Sequence, residues 1–170
     1  MKQIRGNLFN QECDAFCVTT NGFVKNNGEA VMGKGCAKTL AEYFPRVPLL
    51  LGHEIDRKGN RVNRIMVHEG REILSFPVKP ARSKIRKSSE VVKHMQSQFR
   101  AGSNVPGWAC VADIQIIARS ALELVEMADQ YGWEKVVIPR PGTGHGELSW
   151  EDVCPVLEEI LDDRFYIITF

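Results

Sequence analysis

Short apolar runs alternate with stretches of helical periodicity along the whole chain. Ala15-Phe16-Cys17-Val18-Thr19-Thr20 is a continuous run of strand length, and Glu72 to Pro77 and Lys135 to Pro139 repeat the form. Runs of this kind suit strands buried on both faces. Lys2 to Arg5, Arg64 to Val67 and Arg164 to Phe170 complete the predicted strands. Between them apolar residues recur at helical spacing. Gly35 to Phe44 stops at Pro45, and Pro48 to Arg57, carrying Leu49, Leu50, Leu51 and Ile55, is closed by Gly59. Ser88 offers a cap to a helix bearing Val91, Val92, Met95 and Phe99. Val111 to Tyr131 repeats Ile114, Ile117, Ala121, Leu124, Val125 and Ala128 and ends at Gly132. Ser149 opens a last helix with Glu151 and Asp152 in its first turn and Val153, Val156, Leu157, Ile160 and Leu161 inward. Ala101 to Gly107 has loop composition and reads as an insertion. Strands alternating with helices predict an α/β fold on a mixed or mostly parallel sheet.

Composition narrows this picture. A chain of 170 residues that is 44% hydrophobic predicts one domain over residues 1–170 with its own core. A net charge of +1 means that any preference for a polyanion must come from local clustering. Five cysteines are an odd number, and none are paired as Cys-x-x-Cys. This argues against a disulfide framework and a zinc site and for a reducing compartment, with Cys13 and Cys17 as core thiols. Met1 to Arg5 holds no apolar leader, and no run approaches the ~18 apolar residues of a membrane span. The expectation is a soluble, cytoplasmic monomer without metal or cofactor.

Two glycine-rich stretches carry the candidate chemistry: Val31-Met32-Gly33-Lys34-Gly35-Cys36-Ala37 and Pro139-Arg140-Pro141-Gly142-Thr143-Gly144-His145-Gly146-Glu147-Leu148. Each follows a strand-like run and opens towards a helix. A turn free of β-carbons lets backbone N–H groups point at an anion, and the helix start behind it adds partial positive charge. Two such turns in one domain suggest a diphosphate gripped from both sides. Gly28 to Gly35 nearly spells a nucleotide P-loop, but Gly35 stands where the magnesium-binding hydroxyl belongs. Thr19-Thr20-Asn21-Gly22 places small polar side chains at a strand end, where Asn21 either bonds a ribose hydroxyl or caps the turn.

Gly6-Asn7-Leu8, Asp14-Ala15, Asn21, Met32-Gly33-Lys34-Gly35, Phe76-Pro77-Val78-Lys79 and Pro139 to Trp150, taken in this order and spacing, resemble a macro domain from the first strand to the last. The resemblance is strongest to the branch that includes the terminal ADP-ribose glycohydrolases and the antitoxins that strip ADP-ribose from DNA. It implies a three-layer α/β/α sandwich with a central mixed sheet, and a cleft for ADP-ribose. Asn7 would read the adenine amino group in place of the usual aspartate, with Leu8 adding backbone contacts. Thr20 and Asn21 would reach the distal ribose. Met32, Gly33, Lys34, Gly35 and Cys36 would wrap the diphosphate from one side. Pro141, Gly142, Thr143, Gly144, His145 and Gly146 would wrap it from the other. Phe170 would stack on adenine, or it simply closes the core.

By the same resemblance Lys79 matches the lysine that acts at the anomeric carbon of the distal ribose. A nucleophilic lysine needs a neutral amine, so the site must lower its pKa, with Arg82, Lys84, Arg86 and Lys87 as candidate cationic neighbours. The glycohydrolases carry an aspartate in the second loop where this chain has Gly146; the DNA-directed antitoxins have glycine there. His145 is the nearest titratable group. Three readings follow: a lysine-dependent hydrolase releasing ADP-ribose from a modified protein or nucleic acid, a binding module without turnover, and a phosphatase for ADP-ribose 1″-phosphate. The five cations from Lys79 to Lys87 read either as a solvated loop or as a rim for a nucleic acid, with Trp108 either a stacking surface or a pin for the insertion.

Overall fold

The computed structural model describes residues 1–170. In chain order the elements are β1 (Lys2–Arg5), β2 (Ala15–Thr20), α1 (Gly35–Tyr43), α2 (Val47–Lys58), β3 (Asn63–His68), β4 (Arg71–Pro77), β5 (Arg82–Lys84), β6 (Asn104–Pro106), α3 (Ile114–Tyr131), β7 (Val136–Pro139), α4 (Trp150–Ile160) and β8 (Phe165–Thr169). Six of the strands form one mixed sheet in the order β1-β8-β7-β2-β4-β3. All neighbours are parallel except β3, which runs against β4 through a bulge between Arg64 and Met66.

Strand side chains alternate between two cores, as the period of two requires. Ala15 and Cys17 join Leu74, Phe76, Val136 and Ile138 beneath Ile117 and Leu124 of α3 and Leu157 of α4. Phe16 and Val18 join Ile73, Val137 and Ile168 beneath Leu40 of α1 and Leu51 of α2. The molecule is therefore a three-layer α/β/α sandwich. Each fully buried side chain of this size contributes about 1.5–3 kcal/mol, which outweighs the weak local propensity of any one strand.

Helix limits follow their caps. The α3 helix opens at Ile114 rather than at Val111, because the Asp113 carboxylate accepts the Gln115 N–H at 2.8 Å. It closes at Gly132 in the left-handed conformation, φ 68°. Ser149 caps α4 by accepting from the Asp152 N–H at 3.1 Å. No helix is long and apolar enough to cross a membrane.

Residues 80–110 depart from the sequence expectation. The helix predicted after Ser88 is absent; two 3₁₀ runs, Ser88–Glu90 and Lys93–Gln98, replace it. Val91, with an isolated bridge to Cys110, packs instead into a small separate core with Ile85, Val105, Ala109 and Cys110. The basic stretch is not a free loop either. Arg82–Lys84 forms a two-stranded antiparallel ribbon with Asn104–Pro106, the stretch read as an insertion. This ribbon is fastened where the Gly107 N–H donates to the Ala81 carbonyl at 2.8 Å. A β-carbon on Gly107 would run into the carbonyl oxygens of Pro80, Asn21 and Ala81, so the ribbon lies flush on the end of the sheet.

Candidate active site

A cleft of about 580 Å³ opens at the carboxyl ends of β2, β4, β7 and β8, where α/β sheets place their ligand sites. Its first wall is the loop into α1. Here Val31 donates to the Phe23 carbonyl at 2.9 Å, and Lys34, in extended conformation, gives α1 no side-chain cap. Gly35 turns into the helix with φ 57°, a left-handed value that a side-chain-bearing residue adopts only with strain. This explains the missing P-loop hydroxyl: the turn needs glycine at that position. Met32, Gly33, Lys34, Gly35 and Cys36 all line the cleft, and a β-carbon on Gly33 would meet nothing within 4 Å.

The second wall runs from the end of β7. Leu148 donates back to the Gly142 carbonyl at 2.9 Å and Glu147 to that of Gly144 at 3.1 Å, which coils the loop tightly. Gly142 has φ 74°, and a β-carbon on it would press on Ile117 at 2.8 Å. At Gly146 the obstruction is backbone as well: a β-carbon would lie 2.5 Å from the Gly142 oxygen and 2.6 Å from Ala112 Cβ. As the loop is built, position 146 admits no side chain. The loop is held to the start of α3 by the Ala112 N–H, which donates to the Gly146 carbonyl at 2.9 Å.

Lys79 forms the floor between these walls. Its main chain is fixed from three directions: Val78 donates to Thr20 O at 2.9 Å, Asp113 donates to Val78 O at 2.9 Å, and the Asn60 amide donates to Lys79 O at 3.0 Å. The side chain, only 8% exposed, carries Nζ to within 3.4 Å of the Trp108 carbonyl and 3.3 Å of the His145 carbonyl. Burial holds the ammonium below its ordinary pKa, opposed in part by Cys110 and Glu147. The cationic neighbours expected from sequence are not the cause. The Arg82 guanidinium lies over the Phe23 ring, 4.7 Å from its centroid, and Lys84, Arg86 and Lys87 are exposed on the 80–110 segment; none of the four lines the cleft.

That segment supplies the remaining wall with Val92, His94, Met95 and Trp108. Trp108 makes an edge contact with Phe99, centroids 6.3 Å apart, and also lines the cleft. Among the residues expected to touch ligand, Thr20, Asn21, Thr143, Gly144, His145 and the 70% exposed Phe170 line the cleft as well. Both ends of the Asn21 amide are already engaged, Oδ1 accepting from Phe23 N–H at 2.9 Å and Nδ2 donating to Val31 O at 3.1 Å. Asn7, Leu8 and Pro141 stand outside the lining. Asn7 Oδ1 accepts the Phe9 N–H at 2.9 Å and opens a 3₁₀ turn, and Leu8 is fully buried beneath it. Arg140, Ile168 and Thr169 also line the cleft, although sequence reasoning did not single them out. Arg140 was within reach of that reasoning, lying inside the second glycine stretch; its guanidinium stacks over Trp150, 4.6 Å from the ring centroid.

The layers, strand order and cleft define a macrodomain fold. The sequence matches no protein-family model and no curated protein, so the likeness lies in the structure. The macrodomain of Thermus aquaticus DarG superposes with a TM-score of 0.70 at 19% identity, covering 99% of this chain and 97% of that one. The macrodomain of Mycobacterium tuberculosis DarG gives 0.68 at 18% identity with the same coverage. Thermosipho africanus DarTG, solved in complex with ADP-ribose, gives 0.66 at 19% identity; 98% of this chain corresponds to 41% of that longer one.

Proposed function

We propose that the cleft binds ADP-ribose and that Lys79 removes it from a modified macromolecule. The observation that carries this reading is the desolvated Lys79 amine on the floor between two glycine loops. In the proposed complex the diphosphate lies between the uncapped first turn of α1 and the Gly142 to Gly146 loop, and the distal ribose extends over Lys79. Phe170 offers its exposed ring to the adenine. The solved complex of Thermosipho africanus DarTG with ADP-ribose supports this choice of ligand.

A lysine with a lowered pKa supplies a neutral amine at lower pH than an exposed one. Its lone pair attacks C1″ of the distal ribose as the bond from C1″ to the acceptor atom breaks. The departing acceptor takes up a proton, for which the exposed His145 ring, which lines the cleft, is the candidate donor; water then frees ADP-ribose from the enzyme. The exposed Arg82, Lys84, Arg86 and Lys87 give the rim a charge suited to a nucleic-acid acceptor. We place this activity in the cytoplasm, where five free thiols remain reduced.

A binding module without turnover is the second reading, favoured by Gly146, where no acidic side chain fits. Titration with ADP-ribose, set against a nucleoside triphosphate with magnesium, tests the ligand. Incubation with ADP-ribosylated protein, ADP-ribosylated DNA and ADP-ribose 1″-phosphate tests the reaction. Lys79→Ala is expected to slow release of ADP-ribose by about a hundredfold or more. Release at the wild-type rate would sink the catalytic reading and leave the binding module.

A further inference from the structure

Glu147 has a positive φ of 64°, a conformation that the surrounding loop would normally assign to glycine. Its neighbours Gly144 and Gly146, by contrast, are not in that region. A charged residue at the strained position calls for a compensating interaction. The structure contains one: Glu147 Oε2 accepts the Lys93 N–H at 2.9 Å, across 54 residues of chain.

Lys93 opens the 3₁₀ run Lys93–Gln98, and the residue before it, Val92, has no side chain able to cap it. The cap arrives from the opposite jaw of the cleft. The capped run carries His94 and Met95, which form part of the wall. Glu147 itself is not a lining residue, so its influence on the cleft passes through the segment it holds.

One other side chain hydrogen-bonds to both jaws. Lys79 Nζ donates to Trp108 O on the 80–110 segment and to His145 O on the second glycine loop. A lysine that turns to a ligand gives up those bonds. The carboxylate tie between Glu147 and Lys93 then remains to keep the wall closed over the amine.

We infer that Glu147 is a positioning residue, a clasp that caps the Lys93–Gln98 run from across the cleft and holds the 80–110 segment over Lys79. The clasp rests on the geometry of the free protein, and its effect on turnover rests on the ADP-ribose reading above. Three variants separate its parts. Glu147→Gly removes the acceptor and relieves the backbone strain, Glu147→Ala removes the acceptor and keeps the strain, and Glu147→Gln keeps an acceptor oxygen without the charge.

Hydrogen exchange in the free protein reads the clasp without any ligand. The amides of Lys93 to Gln98 are expected to exchange about tenfold faster in Glu147→Gly and Glu147→Ala, and near the wild-type rate in Glu147→Gln. ADP-ribose affinity should fall about tenfold in the first two variants and recover in the third. Unchanged exchange at Lys93 in Glu147→Gly overturns the clasp. Faster exchange with unchanged ADP-ribose affinity overturns its positioning role. A wild-type protein that binds no ADP-ribose overturns the functional reading instead, and exchange alone then decides the clasp.

Discussion

The two glycine loops face each other across one cleft and share two uses of glycine, a left-handed turn at Gly35 and Gly142 and an open face at Gly33 and Gly144. Only the second loop also has glycines where a β-carbon would clash. In the first, Gly33 has open space where a β-carbon would go, and Gly35 is needed for its left-handed turn. In the second, Gly142 and Gly146 are pressed against Ile117, Ala112 and the loop's own carbonyl. The first loop keeps its surface low so that a ligand can approach the backbone. The second keeps its interior small so that the chain can coil. One glycine-rich pattern in a sequence thus stands for two physical constraints, and substitution should tell them apart.

Gly146→Asp should be the most damaging change. Although it restores the acid of the glycohydrolase pattern, it forces a side chain against the Gly142 oxygen. Overpacking of this kind costs about 3 kcal/mol, a fall of about 9 °C in melting temperature for a chain of this size. A gain of activity without loss of stability would break the comparison. Gly35→Ala should cost about 1–2 kcal/mol from the left-handed turn alone, read by the same thermal scan.

Lys79 tests the floor that joins the loops. Its pKa is depressed in the folded protein by burial, so between the folded value and the ordinary 10.5 the unfolded chain binds more protons. Stability from this group therefore rises with pH through that window and is lowest below it. Lys79→Met removes the dependence, so the difference in melting temperature, wild type minus variant, should become more positive as pH climbs towards 10.5. A flat difference would mean that the amine is solvated. Gly33→Ala should be the mildest, within about 0.5 kcal/mol of wild type, while ADP-ribose affinity falls as the methyl intrudes on the cleft. Equal losses at Gly33 and Gly146 would erase the distinction between the loops.

Much of the sheet was legible because its inner strands are short, predominantly apolar runs: β2 and β4 agree with expectation to within a residue at each end. Helix starts were legible where a cap is local, as with Ser149. The 80–110 segment was not. Val91, Val92, Met95 and Phe99 have helix-like spacing, yet Val91 serves a core completed by Val105 and Cys110. Pairing of Arg82–Lys84 with Asn104–Pro106 leaves no trace in either local pattern. The same limit applies at the cleft. Lys79 was visible at the end of an apolar strand, whereas His94 and Met95 reach the wall through that non-local packing. Asn7 and Asn21 show how ambiguous a small amide is, since each spends its side-chain oxygen on a nearby main-chain N–H.

The seam at Gly107 has one more consequence. Ala81 and Gly107 are hydrogen-bonded neighbours, so the chain leaves the sandwich and returns to it at nearly the same point. Everything between is a cassette with adjoining ends, and lengthening such a cassette adds little closure entropy, about 0.6 kcal/mol for each doubling. One side of the cleft is thereby free to change its size and chemistry while the strand order behind it stays as it is.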